Sequence, residues 1–212
     1  MILTIGNTKG GVGKTTIALN IAIARAMSGV NIWLVDGDIQ QTSQLAISIR
    51  NDNQAEPVIA CSSFTDGKIL RSQVKKQSVN FDDVIIDVGG KDTSTLRASM
   101  LISDVLLIPF QPRSFDVWAI DDIVALIKEV NELRDNLKCY AFLNNADVNS
   151  KDNEEAKELV SNFVDIKYID TPICRRKSFA NSLSQGLSIL EYKPKDTKAI
   201  NEFVKLYNLI YK

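Results

Sequence analysis

Three groups of residues in this chain have the types and spacing for phosphate chemistry. The first is Lys9-Gly10-Gly11-Val12-Gly13-Lys14-Thr15-Thr16, behind the apolar run Ile2-Leu3-Thr4-Ile5 and ahead of a long apolar, helix-like pattern. Glycines there let the backbone curl until several N–H groups point at one anion. A helix beginning near Thr15 adds its positive end, so phosphates would sit where donors and dipole converge. Lys14 would reach the outer phosphates, and the Thr15 hydroxyl would complete a Mg²⁺ shell. The common pattern G-x-x-x-x-G-K-[ST] requires glycine at position 8, where Thr8 stands; an early lysine, Lys9, and the pair Gly10-Gly11 take its place. A plain glycine-rich turn with a solvated lysine would need strand, loop, helix and Gly-Lys-Thr-Thr to coincide by accident, so we read the loop as nucleotide-binding.

The second group is Asp36-Gly37-Asp38-Ile39-Gln40, at the end of the apolar run from Asn31 to Val35. Carboxylates just past the carboxyl end of a parallel strand lie in the crevice where such sheets bind ligands. Two aspartates one residue apart can serve Mg²⁺ and an attacking water, or they can cap the turn and the helix after it. The third group is Asp83-Val84-Ile85-Ile86-Asp87-Val88-Gly89-Gly90. An apolar strand ending in aspartate suits Asp87 to binding Mg²⁺ near a γ-phosphate. Gly89 and Gly90 would let the next segment move when that phosphate is lost; a buried strand with an Asp-Gly turn is the bland alternative.

Elements of alternating kind must hold these groups. Ile17, Leu19, Ile21, Ala22, Ile23, Ala26 and Met27 form a helix apolar on most sides, stopped by Gly29. Short strands are predicted at 57–61, 105–110, 139–143 and 166–169. Helices are predicted near 45–49, 68–76, 94–103, 153–163 and 197–211, and one up to about Leu133. Lys75 and Lys76 read as a solvated helix face, Ser114 as a helix cap, Trp118 as core. The last helix places Ile200, Phe203, Val204, Tyr207 and Ile210 on one stripe, a docking face. Strand–helix alternation throughout implies an α/β fold, a mostly parallel twisted sheet with helices on both faces.

The loop resembles the deviant Walker A box of the ParA/MinD ATPases, whose hallmark is the early lysine, and the resemblance spans nearly the whole chain. It implies a single P-loop ATPase domain over 1–212, with no room for an N-terminal DNA-reading module, using ATP and Mg²⁺. In that family two subunits sandwich two ATP molecules, so Lys9 would act on the partner's nucleotide. Family members carry Asp-x-Asp-Pro-Gln at the second group; Asp36, Asp38 and Gln40 match, Ile39 replaces the proline, and Asp38 would orient the water. The resemblance makes Lys9, Lys14 and Asp38 the catalytic candidates and Thr15, Asp36 and Asp87 the metal candidates. Pro109-Phe110-Gln111-Pro112-Arg113-Ser114-Phe115-Asp116 is similar to the family segment bordering nucleotide and dimer face. Asn144-Asn145-Ala146-Asp147 is similar to a guanine-reading motif but lacks its lysine, and Asn144 is the candidate adenine contact. The family further implies an ATP-dependent homodimer, a centromere-binding ParB-type partner and non-specific DNA binding in plasmid partition.

Composition narrows the rest. The chain has 212 residues, 45% hydrophobic, with a formal net charge of −1, which suits one well-filled α/β domain. DNA binding would therefore need a local basic patch. Arg175-Arg176-Lys177 is the densest one, with Lys193, Lys195 and Lys198 behind it. We take Arg176, Lys177, Lys193 and Lys195 as DNA candidates; Arg175 could instead turn to the nucleotide, and ordinary solvated faces are the bland reading. No secretion signal or membrane span is expected. Cys61, Cys139 and Cys174 have no metal-like spacing and the chain has no histidine, as for buried thiols in a cytoplasmic protein. A MinD-like membrane switch would need a free C-terminal amphipathic helix. The same loop would also serve a small kinase, or a relative that positions protein assemblies.

Overall fold

The elements run β1 (Ile2–Ile5), α1 (Lys14–Met27), β2 (Ile32–Gly37), α2 (Thr42–Asp52), β3 (Ala60–Ser63), α3 (Gly67–Gln77), β4 (Asp83–Val88), α4 (Thr93–Met100), β5 (Val105–Phe110), α5 (Val117–Leu133), β6 (Lys138–Ala146), α6 (Lys151–Ser161), β7 (Lys167–Tyr168), β8 (Ile173–Cys174), α7 (Lys177–Leu183) and α8 (Thr197–Ile210). This computed structural model describes residues 1–90, 93–112, 117–148 and 150–211. The predicted Ser114 cap and the Arg113–Asp116 loop lie outside the described residues, as does the Trp118 side chain.

Strand order is β3-β2-β4-β1-β5-β6-β7, with β8 beside β6, and every described pair is parallel. The first strand therefore lies in the middle, hydrogen-bonded to β4 and β5. Strands β2, β4 and β5 are buried along their whole length, which is why they read as continuous apolar runs rather than alternating ones. Their side chains still alternate between faces. Trp33, Val35, Val84, Ile86, Leu106 and Ile108 pack with Leu70, Leu96, Ile123 and Ile127 from α3, α4 and α5. Leu34, Ile85, Leu107 and Phe142 pack with Leu19, Ile23, Ile47 and Phe203 from α1, α2 and α8. The predicted α/β class, parallel sheet and two-sided helical cover are what the structure has.

Helix α8 starts at Asp196, whose carboxylate accepts the Ala199 N–H at 3.1 Å, and buries Ala199, Phe203 and Leu206 in the core. Its apolar stripe is thus a wall of the fold. No helix among the described residues is long and apolar enough to cross a membrane. The three cysteines are unpaired, and burial pushes the thiols of Cys61 and Cys139 up to about 12.

Several boundaries depart from expectation for identifiable reasons. The third strand begins at Ala60 opposite Trp33, later than predicted, because Pro57 has no N–H for a ladder. Residues 166–169 contribute only Lys167 and Tyr168 to the sheet. The segment after Pro172 supplies the short β8, with Ile173 opposite Asn144. Helix α6 starts at Lys151, because the Ser150 hydroxyl caps it by accepting the Asp152 N–H.

Long-range polar ties close the side of the molecule near α1 and α2. Arg50, fully buried near the end of α2, donates through Nη2 to Glu191 Oε1 at 2.9 Å and through Nη1 to Oε2 at 3.0 Å. Two further N–H groups go to the carbonyls of Pro57 and Gly186, so the buried guanidinium charge is paired and hydrogen-bonded. Asn20 on α1 accepts the Ile189 N–H at 2.7 Å.

Candidate functional site

The loop between β1 and α1 is held in shape by donors that take its carbonyls. Gln111 Nε2 donates to the Gly11 carbonyl at 2.8 Å, Asn144 Nδ2 to Val12 at 2.7 Å, and Lys14 Nζ to Lys9 at 2.8 Å. Asn7 joins in from below, accepting the Lys9 N–H at 3.0 Å and donating to the Pro109 carbonyl. These bonds fix the curl of the loop, in which peptide N–H groups beyond Lys9 could meet an anion. Gly13 precedes α1 with φ 88° and no side-chain cap, so the first N–H groups of the helix add to the cradle. A Cβ on Gly13 would lie 2.2 Å from Asn144 Nδ2; only glycine allows that brace.

Asp87, next to last in β4, lies directly opposite Asp36 on β2 and Ile5 on β1. It is 1% exposed. Its Oδ2 accepts the Ser43 hydroxyl at 2.8 Å, whereas Oδ1 is buried without a hydrogen-bond partner. Burial and the neighbouring Asp36 charge push its carboxyl up to about 7, against the pull of the Thr15 and Ser43 hydroxyls and the Lys14 ammonium. A carboxylate oxygen held dry and unpartnered, with Thr15 and Lys14 nearby, is a group awaiting a cation.

Asp36 is fully buried, with Oδ1 accepting the Asp38 N–H and Oδ2 the Gln44 N–H, both at 3.0 Å. The second aspartate group thus divides: Asp36 organises the turn and the start of α2, while Asp38 is partly exposed and lines the cavity. Asp38 lies against Gly89, where a Cβ would come within 3.0 Å of its carboxyl carbon. Burial lowers the Lys14 pKa, an effect opposed by Asp87 and Asp38. Gly90 lies so close to the Lys9 backbone that a Cβ would come within 2.6 Å of the Lys9 carbonyl carbon.

Two cavities meet at Gly11, Gly13 and Thr42. One, of about 450 Å³, is bounded by the loop glycines, Lys14, Thr15, Asp38, Ile39, Gln40, Gly89 and Gly90. The other, of about 410 Å³, is bounded by Thr16, Ile17, Leu45, Asn144, Arg176 and Phe179, among others. Both have mostly apolar walls; the first also carries Lys14, Thr15 and Asp38, while the second carries Leu45, Phe179 and Leu183, a pairing that suits a triphosphate and a base. No group of three or more His, Cys, Asp or Glu residues able to hold a metal by itself occurs among the described residues. Mg²⁺ needs no such cage, since one or two carboxylates plus substrate phosphates suffice, and the free Asp87 oxygen fits that role.

The structure therefore brings Lys9, Gly10, Gly11, Val12, Gly13, Lys14, Thr15, Thr16, Asp36, Asp38, Asp87 and Asn144 to one end of the sheet. Of the four DNA candidates, Arg176 alone is ion-paired among the described residues. Arg176 is ion-paired through Nη2 with Glu202 Oε1 and donates from Nε to Oε2 at 3.2 Å, and it borders the apolar cavity. Lys177, Lys193 and Lys195 are exposed, and Arg175 is exposed as well. Asn7 and Ser43 join the site without having been legible in the sequence; a lone polar residue beside a strand or in a helix carries no signal there.

Comparison with known proteins agrees with this geometry. A family model described as the CobQ/CobB/MinD/ParA nucleotide binding domain matches residues 3–189. "Maintenance of carboxysome distribution protein A" of Halothiobacillus neapolitanus is 24% identical over 208 residues, covering 97% of this chain and 94% of its own length. "Protein ParA" of Rhizobium radiobacter is 25% identical over 198 residues, covering 92% and 87%. The septum site-determining protein MinD of Pyrococcus horikoshii, solved with Mg-ADP, superposes with a TM-score of 0.75 at 18% identity, over 100% of this chain and 96% of that one. The chain belongs to the CobQ/CobB/MinD/ParA family of nucleotide-binding domains.

Proposed function

We propose that this protein is a Mg²⁺-dependent ATPase acting as a dimerising switch that positions DNA cargo such as a plasmid. The observation that carries the nucleotide reading is the cavity lined by the loop glycines, Lys14 and Thr15, together with a buried Asp87 carboxylate that has one unpartnered oxygen. Bound Mg-ATP supplies the reacting phosphoryl group and the cation that offsets its charge. Lys14 exchanges the Lys9 carbonyl for phosphate oxygens. Thr15 and Asp87 hold the ion, and Asp36 deepens the negative charge beneath it. Asp38 holds a water in line, Lys9 reaches the nucleotide of a second copy, and Asn144 borders the adenine in the apolar cavity. Such a set works by positioning and charge stabilisation, which suits slow turnover that a ParB-type partner accelerates. In the ATP state the dimer binds DNA without sequence preference, through phosphate contacts.

The test is phosphate release from ATP and Mg²⁺, with light scattering for nucleotide-dependent dimerisation and anisotropy for duplex binding. A folded protein that neither binds ATP nor dimerises with it overturns the reading. A second reading, a cargo made of protein rather than DNA, is supported by the carboxysome-distribution relative, whose similarity covers 97% of this chain. Loss of plasmid stability on deleting the gene favours the first, and mislocalisation of a protein assembly the second.

A further inference from the structure

The DNA reading needs a cationic surface, and in the C-terminal cluster the cations are interleaved with acidic residues and one of them is paired. Arg176 is neutralised by Glu202, and Asp196 and Glu191 lie in sequence among the remaining lysines. A different surface has the required charge. Helix α3, Gly67–Gln77, carries Lys68, Arg71, Lys75 and Lys76 and no acidic residue. All four are exposed, and none forms an ion pair among the described residues. At 100° per residue, Lys68, Arg71 and Lys75 fall within one narrow stripe and Lys76 beside it. The formal net charge of the whole chain is −1, so the rest of the molecule is net negative.

We infer that the exposed face of α3 is a docking surface for the phosphate backbone of duplex DNA, an inference that rests on the DNA reading above. Charge complementarity selects a polyanion, and the packing of the helix selects DNA over a lipid surface. Membrane-surface helices bury a free apolar face, but Leu70 and Val74 of α3 are fully buried in the core. What faces outward is cationic and polar apart from the single apolar side chain of Ile69, too little for insertion and suited to phosphate contact. The side chains carry no fixed base-reading pattern: Gln77 and Gln73 hydrogen-bond each other at 2.8 Å. Binding is accordingly independent of sequence.

The face also sits where it can sense the nucleotide. Leu70 lies against Gly37, whose Cβ would come within 3.0 Å of the leucine Cδ1, immediately before Asp38. Gly67 lies against α4, where a Cβ would be 2.7 Å from the Ser94 carbonyl oxygen. Helix α4 follows Gly89 and Gly90, which bound the phosphate cavity. A movement of either cavity wall is thereby passed to α3 by direct packing.

The experiment measures anisotropy of a labelled random-sequence duplex with the full chain, ATP and Mg²⁺, across a salt series. The variants are Lys68→Glu/Arg71→Glu/Lys75→Glu, the same three changed to Gln, and a control with Lys177→Glu/Lys193→Glu/Lys195→Glu. The α3 reversal is expected to weaken binding more than about 10-fold. The Gln variant is expected to lower the slope of log affinity on log salt by roughly 0.9 for each phosphate no longer neutralised. The control is expected to weaken binding less than either, and ATP affinity to stay at the parent value throughout. If the parent binds no duplex in any nucleotide state, the DNA reading itself fails and this inference with it. If the parent binds and the α3 variants bind equally well, the inference alone is overturned. Phosphatidylserine vesicles form a parallel arm; binding of the parent to vesicles but not duplex, abolished in the α3 variants, overturns DNA as the occupant.

Discussion

Lys14 turns back over its own loop, its ammonium 2.8 Å from the carbonyl of Lys9. The two lysines of the loop are thereby joined before any phosphate arrives, although their proposed tasks differ. Lys14→Ala removes the ammonium and is expected to weaken ATP binding by over about 100-fold, as for loss of a strong charge-assisted contact. Calorimetric titration of the folded variant measures it, and parent affinity would refute the assignment.

Lys9→Ala keeps a carbonyl at position 9, so the Lys14 bond and the cradle persist. ATP binding is expected to stay within roughly 3-fold of the parent, while ATP-dependent dimerisation disappears because a cross-subunit interaction of about 1.5–3 kcal/mol is missing. Light scattering with ATP and Mg²⁺ gives the answer; an unchanged dimer removes the trans role.

Asp38→Ala leaves the phosphate contacts intact and removes the carboxylate beside Gly89. The expected product is a long-lived ATP-bound dimer with turnover reduced by about 10²–10⁴, the usual worth of a positioned proton acceptor. Turnover at the parent rate in a phosphate-release assay would shift attention to Asp36.

Asp87→Asn tests the opposition between function and stability. Its carboxylate is 1% exposed with one oxygen unpartnered, an arrangement that costs folding free energy until a cation is present. The amide keeps a partner for Ser43 and removes the buried charge. Nucleotide-free Asp87→Asn is expected to be at least as stable as the parent, by up to about 2 kcal/mol, and to lose the Mg²⁺-dependent rise in melting temperature that ATP gives. A variant less stable than the parent without ligand, yet stabilised normally by Mg-ATP, would contradict both halves.

Glu191→Ala strands the buried Arg50 guanidinium. Removing one partner of a buried pair costs about 3–5 kcal/mol, on the order of 10 °C in melting temperature for a domain of this size. Differential scanning calorimetry measures it; a shift under about 2 °C would mean that water replaces the carboxylate.

Much of this arrangement is visible in the sequence because its chemistry is local. Lys9 to Thr16 carries strand, loop and helix signals within one window, and the Asp87 strand is a continuous apolar run ending in a charge. The parts that were not visible depend on partners far along the chain. Arg50 meets Glu191 across 141 positions, and Arg176 looks like part of a basic run until Glu202 is found opposite it. Asn7 and Ser43 act through individual side-chain hydrogen bonds to a neighbouring loop or carboxylate, which no spacing rule encodes. Asp36 and Asp38 look equivalent in sequence. Spacing alone does not separate them; the resemblance gives them different tasks, and in the fold the first accepts the Gln44 N–H at the start of α2 while the second lines the cavity.

The Arg50–Glu191 clamp also bears on when the protein becomes competent during synthesis. Helix α2 forms a wall of the apolar cavity through Leu45 and Ala46, and α7 forms another through Phe179 and Leu183. The pair that locks α2 to the segment after α7 needs a residue made 141 positions later than its partner. Pairings of such sequence separation form late. A nascent chain therefore exposes its phosphate loop long before the surrounding walls exist to hold a base. The second cavity gains its last walls only once α7 and the segment behind it have been made.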